Sequence, residues 1–126
     1  MLGRNMKLGL KFALMGAVAA VGYAGYIFWC YSQSPFITVA NRSDKTLEDV
    51  ILAGSGFSQR FDKLSPHETI SCTVHPRGES SLQISFISDS VAVVKNDLAY
   101  LESAGGYRAD ILIDSDMNIS CKNYLR

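Results

Sequence analysis

The sequence has few of the residues from which catalytic and metal sites are built. Its 126 residues include two histidines, three cysteines and one tryptophan. It contains no phosphate-binding loop, no dinucleotide fingerprint, no paired-cysteine zinc motif and no Gly-x-Ser-x-Gly elbow. No nucleophile can be placed beside a base from the sequence. These absences predict a protein that is not an enzyme and that uses no cofactor.

The chain also lacks an excess of charge of either sign. Twelve Lys and Arg residues balance twelve Asp and Glu residues, so the formal net charge is +0. Three of the basic residues, Arg4, Lys7 and Lys11, precede residue 12. The remainder therefore carries nine basic residues against all twelve acids, a net charge of about −3. This balance does not suit a nucleic-acid surface.

One long stretch lacks charge altogether, from Phe12 to Tyr31. As an α-helix it would span about 30 Å, the thickness of a bilayer's hydrocarbon core. The three basic residues precede it and aromatic residues crowd its second half, which predicts a single-pass transmembrane helix with residues 1–11 in the cytoplasm. A cleaved secretory signal is the alternative. The bulky run from Ile27 to Tyr31 does not provide the small-x-small site that such cleavage needs.

Small residues recur every fourth position within this stretch, at Gly16, Ala20 and Ala24. Such a stripe lets two helix backbones approach closely in lipid, so it is a candidate for contact with a partner helix or with a second copy in a homodimer. The frequent use of Gly and Ala in membrane helices is the alternative explanation. Cys30, near the far end of the stretch, is placed to crosslink two copies.

The other two cysteines, Cys72 and Cys121, fall in the part of the chain that would be exported. An even pair in an exported domain predicts one disulfide. It would close a loop of about 50 residues and stabilise the fold by roughly 4 kcal/mol. Two free buried thiols are the alternative.

Residues 36–126, after a short connector at 32–35, consist of short β-type runs. In the run from Thr69 to His75, alternation places Ile70, Cys72 and Val74 on one face. Seven or eight such runs are separated by turn signals, often about 8 to 12 residues apart, and no amphipathic helix intervenes. The pattern predicts an all-β domain with the architecture of an antiparallel β-sandwich.

Three groups of residues in this domain are candidates for binding. The candidate metal ligands are two histidines and four acids: His67, His75, Glu102, Asp110, Asp114 and Asp116. Calcium needs about six to eight oxygens and zinc needs converging ligands, so surface histidines and a solvated strand face explain these residues better and no metal ligand is predicted. The turn at Arg77, Gly78 and Glu79 presents opposite charges and is a candidate partner-binding loop.

One set of positions in the strands and turns carries a family resemblance: Val39, Asn41, Ser43, Leu47, Val50, Leu52, Gly54, Gly56, Phe57, Leu64–Pro66, Pro76 and Gly78–Ser80. At these positions the domain resembles a class of small bacterial single-pass membrane proteins with an exported immunoglobulin-like β domain. The resemblance implies a location in the bacterial inner membrane with the domain in the periplasm, and it implies no activity. The architecture is also similar to that of copper-delivery factors, but their Cys-x-Cys motif is absent.

Together these observations predict a non-enzymatic, membrane-anchored protein-interaction module that acts at the periplasmic face of the inner membrane. Its partners would be membrane lipid and either another envelope protein or a protein toxin. In the first case it would be an accessory subunit of an envelope complex, and in the second an immunity protein. The alternative is a periplasmic carrier of a metal or small ligand.

Overall fold

The computed structural model describes residues 19–26 and 33–125. Its contacts divide the chain into two units, Met1–Tyr31 and Ser32–Arg126. In the first unit, residues 19–26 form a helix, α1, whose residues are exposed. Within the described residues, no helix is long and apolar enough to cross a membrane.

The predicted transmembrane helix extends beyond these residues at both ends. Ala20 and Ala24 of the small-residue stripe lie in α1. Gly16 and Cys30 lie outside the described residues. The predicted orientation residues Arg4, Lys7 and Lys11 also lie outside them.

The second unit consists of ten β-strands. They are β1 (Phe36–Asn41), β2 (Leu47–Gly54), β3 (Phe57–Leu64), β4 (Thr69–Thr73), β5 (Glu79–Ser81), β6 (Gln83–Ser88), β7 (Val91–Lys95), β8 (Tyr100–Glu102), β9 (Tyr107–Ile113) and β10 (Ile119–Leu125). Alternation of apolar and polar residues explains most of them, because successive side chains of a strand point to opposite faces. In β1, for example, Ile37 and Val39 are buried while Phe36, Thr38 and Ala40 are only partly buried.

The strands form two four-stranded sheets and a short ribbon. The first sheet has the order β10-β9-β1-β4, the second has the order β3-β2-β6-β7, and β5 pairs with β8. This arrangement confirms the coarse prediction of a mostly β, sandwich-like domain. Two details differ from the sequence prediction: ten strands replace seven or eight, and β1 pairs with β9 in parallel.

The buried core is built from the inward rows of both sheets. Its apolar members are Ile37, Val39, Leu47, Val50, Leu52, Leu64, Val74, Leu82, Ile84, Phe86, Leu101, Ala109, Ile111 and Ile113. The predicted inward row of β4 is confirmed, since Ile70 and Cys72 pack against this core and Val74 is buried. Burial of each large aliphatic or aromatic side chain contributes about 1.5–3 kcal/mol, which makes these rows the main source of stability.

A β-bulge interrupts β2 at Asp49. The register with β6 shifts between Glu48 and Ile51, and Asp49 has a positive φ of 47°. The extra residue explains why Leu47 and Val50, three positions apart, are both buried. It also places the Asp49 carboxylate on the outer face of the second sheet, where Arg60 of β3 binds it.

One buried polar side chain ties the two sheets together. Asn41, at the end of β1, has no exposed surface. Its Nδ2 donates to the carbonyl oxygens of Lys45 at 2.8 Å, Leu64 at 3.2 Å and Ser65 at 3.1 Å. Its Oδ1 accepts from the backbone N–H of Ser43 at 3.0 Å and from the Ser43 hydroxyl at 2.6 Å. The side chain therefore links β1 of the first sheet to the end of β3 in the second.

Candidate functional site

The outer face of the second sheet carries an apolar groove of about 440 Å³. One row of paired residues across the sheet consists of Arg60, Ile51, Ser85 and Val94. The groove is lined by Ile51, Phe86, Ile87, Ala92, Val93 and Val94, together with Asp49, Arg60 and Ser85. We call the outward-facing apolar residues Ile51, Ile87, Ala92 and Val94 the outer strip.

The outer strip ends at an exposed edge strand. Val94 of β7 is 56% exposed, and Val91 at the start of the same strand is 62% exposed. Among the strands of residues 33–125, β7 pairs only with β6. An exposed apolar surface beside a free strand edge is a common feature of protein-interaction sites.

Charged residues border the groove on the side of β3. Arg60 Nη1 donates to Asp62 Oδ1 at 2.7 Å, and Arg60 Nη2 donates to Asp49 Oδ1. The hydrogen bond to Asp49 is the main cause that raises the pKa of Arg60 above its ordinary value. The two carboxylates and one guanidinium give this border a net negative charge, so it favours a positively charged group on a bound molecule.

The predicted partner loop lies elsewhere and is held by backbone contacts. The N–H of Arg77 donates to the carbonyl of Ser55 at 2.9 Å, in the turn between β2 and β3. Gly78 has a φ of 62°, which a residue with a side chain rarely adopts. Arg77, Gly78 and Glu79 are all exposed, and the loop is therefore an ordered surface turn that remains accessible.

Glu79 of this loop faces a second acid across the short ribbon. It pairs with Glu102 of β8. The Tyr100 hydroxyl donates to Glu102 Oε1 at 2.6 Å, and this bond, with a smaller contribution from Glu79, raises the pKa of Tyr100 well above its usual range. The raised pKa reflects the hydrogen bond, which only the protonated hydroxyl can donate to the carboxylate.

The residues considered as candidate metal ligands do not come together. His67 Nε2 lies 3.0 Å from Asp44 Oδ1, whereas His75 Nδ1 lies 3.1 Å from Ser34 Oγ. Asp110 accepts from the Tyr124 hydroxyl at 2.8 Å. In the part of the chain that the structure describes, no three His, Cys, Asp or Glu residues form a group that could hold a metal ion.

The acids of the last hairpin have a local structural role. Asp114 Oδ1 accepts from the backbone N–H groups of Asp116 and Asn118, both at 2.9 Å. These bonds close the turn between β9 and β10, as an aspartate side chain commonly does in a short loop. The role of Asp114 among the candidate acidic residues is therefore explained by turn formation.

The predicted disulfide between Cys72 and Cys121 is wrong for this fold. Both cysteines are free and half-buried. Cys72 lies in β4 and Cys121 in β10, which are the two edge strands of the first sheet, with β1 and β9 between them. Three strand spacings amount to about 14 Å, whereas a disulfide needs Cα atoms within about 7 Å. Matching inward parity placed both thiols on one face without placing them close together.

Burial sets the chemistry of both thiols. It raises the pKa of Cys72 above its ordinary value. Burial also raises the pKa of Cys121 to about 11, with the Asp110 carboxylate as the second cause. Because the thiolate is the reactive form, neither residue is an activated nucleophile.

The groove could not be recognised from the sequence, because its lining residues come from four separate strands. One signal was available: Leu47, Val50 and Leu52 are spaced by three and then two residues, which marks an extra residue in β2. The run from Val91 to Val94 is uniformly apolar, so alternation in the sequence cannot assign the face of that strand. Only pairing of β7 to β6 shows that Ala92 and Val94 face outward.

No protein-family model and no curated protein matches the chain. Among solved structures, the chain is similar to one determined by NMR of a protein from Eubacterium rectale, with 13% sequence identity and a TM-score of 0.50. The similarity covers 75% of this chain and 91% of that protein. At this identity the similarity concerns the fold alone.

Proposed function

We propose that the chain is a non-enzymatic protein-interaction module, anchored by residues 12–31 in a bacterial inner membrane, with an immunoglobulin-like domain in the periplasm. The observation that carries the proposal is the apolar groove on the outer face of the second sheet. A side chain of a partner protein that enters this groove would bury the outer strip, and each 100 Å² of apolar surface buried would contribute about 2.5 kcal/mol before the costs of association.

The border of the groove adds selectivity. Arg60 is bound by two carboxylates, Asp49 and Asp62, which leaves one negative charge at the rim. A partner segment with an apolar side chain followed by a lysine or arginine fits this arrangement. Rim charges of this kind mainly change the association rate and its dependence on salt.

Two biological roles fit such a module. As an accessory subunit of an envelope complex, it would use both the groove and the stripe at Gly16, Ala20 and Ala24. As an immunity protein, it would bind and neutralise an incoming toxin in the periplasm. A neighbouring toxin gene favours the second role, and neighbouring genes for an envelope complex favour the first.

The partner-binding surface is tested by site-specific photo-crosslinking of the full chain in its native cells. A photo-activatable residue at Val94 reports on the groove, and one at Leu112, which is 39% exposed on the first sheet, is the control. We expect a covalent adduct with one other protein from position 94 and none from position 112. The adduct should be lost when Ile87→Asp introduces a charge into the groove. Equal adducts from both positions, or none, would refute the proposal.

The proposed topology has its own test. A reporter enzyme that works only in the periplasm, fused after Arg126, should be active. Reversal of the basic tail by Arg4→Glu, Lys7→Glu and Lys11→Glu should reduce that activity. Activity of a fusion at the amino terminus instead would refute the orientation.

A second candidate function is a carrier of a small apolar ligand. The groove volume of about 440 Å³ lies within the range of small-molecule sites, which is about 300–1,000 Å³. Native mass spectrometry of the purified full chain tests it. A co-purified small molecule that is lost in the Ile87→Asp variant would favour the carrier over the protein-interaction module.

A further inference from the structure

The four outer edges of the two sheets differ in how they are protected against pairing. β3 carries Arg60, Asp62 and Lys63. β10 carries Lys122, and β4 exposes only Thr and Ser side chains. β7 has four consecutive apolar residues, and its single charge is at its last residue, Lys95. Charges, prolines and bulges are the usual means of blocking a strand edge. β4 carries no charge either, but its exposed side chains are polar, so β7 is the described edge that combines little charge with exposed apolar side chains.

The hydrogen-bonding groups on the free edge of β7 can be assigned from its hairpin with β6. The two residues of the connecting turn, Asp89 and Ser90, have positive φ values of 50° and 64°, which is a type I′ turn. In such a hairpin the residues next to the turn, Ser88 and Val91, exchange hydrogen bonds. The pattern alternates along the strand. The backbone N–H and C=O groups of Val91, Val93 and Lys95 therefore bond to β6. Those of Ala92 and Val94 point away from β6, toward the free edge.

We propose that β7 pairs with β7 of a second copy, antiparallel, around a two-fold axis at Val93. In this register Val93 faces Val93 of the second copy. Ala92 faces Val94 of the second copy, and both residues present their unpaired backbone groups to each other. Val91 faces Lys95 of the second copy. The edge is therefore complementary to itself in hydrogen bonding, as an interface with two-fold symmetry requires.

Charge and side-chain pattern favour this arrangement over a parallel one. Antiparallel pairing separates the two Lys95 side chains, because each faces Val91 of the second copy. Parallel pairing would place Lys95 directly against Lys95. Antiparallel pairing also joins the outer strips of the two copies into one apolar surface, because Ala92 and Val94 lie on the same face as Ile87.

This pairing uses the backbone edge of β7, whereas the proposed partner binding uses the outward-facing side chains. The two proposals can therefore fail separately. A photo-crosslink from Val94 to a second copy would support the dimer, and one to a different protein would support partner binding.

Disulfide trapping in the full chain tests the register. In a Cys30→Ser background, Val93→Cys places two thiols at a self-facing pair with a Cα separation of about 4.5 Å, which is suitable for a disulfide. The matched control is Val91→Cys, whose two copies would lie about 13 Å apart, four residues out of register. We expect the crosslinked dimer on a non-reducing gel to exceed the control at least about tenfold after mild oxidation, because only the first pair satisfies disulfide geometry.

A backbone substitution confirms that pairing occurs through the edge. Ala92→Pro removes an N–H that points away from β6, so it should preserve the hairpin. Added to Val93→Cys, it should abolish the crosslink while the far-ultraviolet circular dichroism spectrum stays unchanged. A crosslink that persists in the folded proline variant, equal crosslinking of the two cysteine variants, or no crosslink at all would overturn the proposal.

Discussion

The side chain of Asn41 provides the sharpest test of how this domain is held together. It is fully buried and contacts three carbonyl oxygens and both donors of Ser43. The substitution Asn41→Ala would leave the carbonyl of Leu64 and the N–H of Ser43 buried without these partners. Each unsatisfied buried group costs about 1–3 kcal/mol, so we expect a loss of about 3–5 kcal/mol in the free energy of unfolding.

The expected loss is large against the total stability of a small domain, which is about 5–15 kcal/mol. Urea unfolding followed by far-ultraviolet circular dichroism measures it, because this signal reports directly on the β-strands. With a urea dependence of about 2 kcal/mol per molar, the midpoint should fall by about 2 M. Asn41→Asp should cost at least as much at neutral pH, since a carboxylate cannot donate to three carbonyls.

Asn123→Ala is the matched control. The Asn123 side chain makes two hydrogen bonds, accepting from the N–H of Tyr100 at 3.1 Å and donating to the carbonyl of Arg108 at 3.0 Å. Both bonds are exposed, so water replaces them and the loss should stay below about 1 kcal/mol. Equal losses at Asn41 and Asn123 would refute the argument that burial makes the Asn41 network decisive.

Three further predictions concern cysteines and glycines. Peptide mapping without reduction should recover Cys72 and Cys121 as separate thiols, and a linked peptide would contradict the sheet order. The alkylation rate of Cys121 should rise with a midpoint near pH 11, because burial and Asp110 favour the neutral thiol; a midpoint near pH 9 would mean that the thiol is exposed. Gly56→Ala should destabilise more than Gly78→Ala: both have positive φ, but an added Cβ at Gly56 would lie 2.5 Å from Cγ of Arg77, whereas Gly78 faces open space. Equal urea midpoints for the two glycine variants would show that the Arg77 side chain moves away from the added Cβ at no cost in stability.

Much of the fold could be predicted because period-two alternation is a local property. The inward row of Ile70, Cys72 and Val74 is an example, since each residue's face depends only on its position along one strand. The number of strands was harder to predict. The residues Glu79–Ser81 form β5 only because β8 lies opposite them, and their sequence alone is typical of a turn.

The site was less predictable than the fold. A metal site at the histidines would require their ring nitrogens to converge on one point. The structure instead places His67 beside Asp44 and His75 beside Ser34. The groove depends on which strands are neighbours, and strand order has no local signature. The alternation of Cys121 indicated its face, while its distance from Cys72 was decided by two intervening strands.

The sequence by itself determined the charge-free stretch from Phe12 to Tyr31, the basic residues before it, and the alternating rows that make the rest a β domain. These features follow from composition and local period. The tertiary structure alone decided that the cysteines lie on opposite edges, that Asn41 joins the sheets and that β7 is a free apolar edge. The physical reason is that hydrogen-bonded pairing between strands joins residues far apart in the chain, and the free energy of that pairing belongs to the assembled sheet and to no single segment.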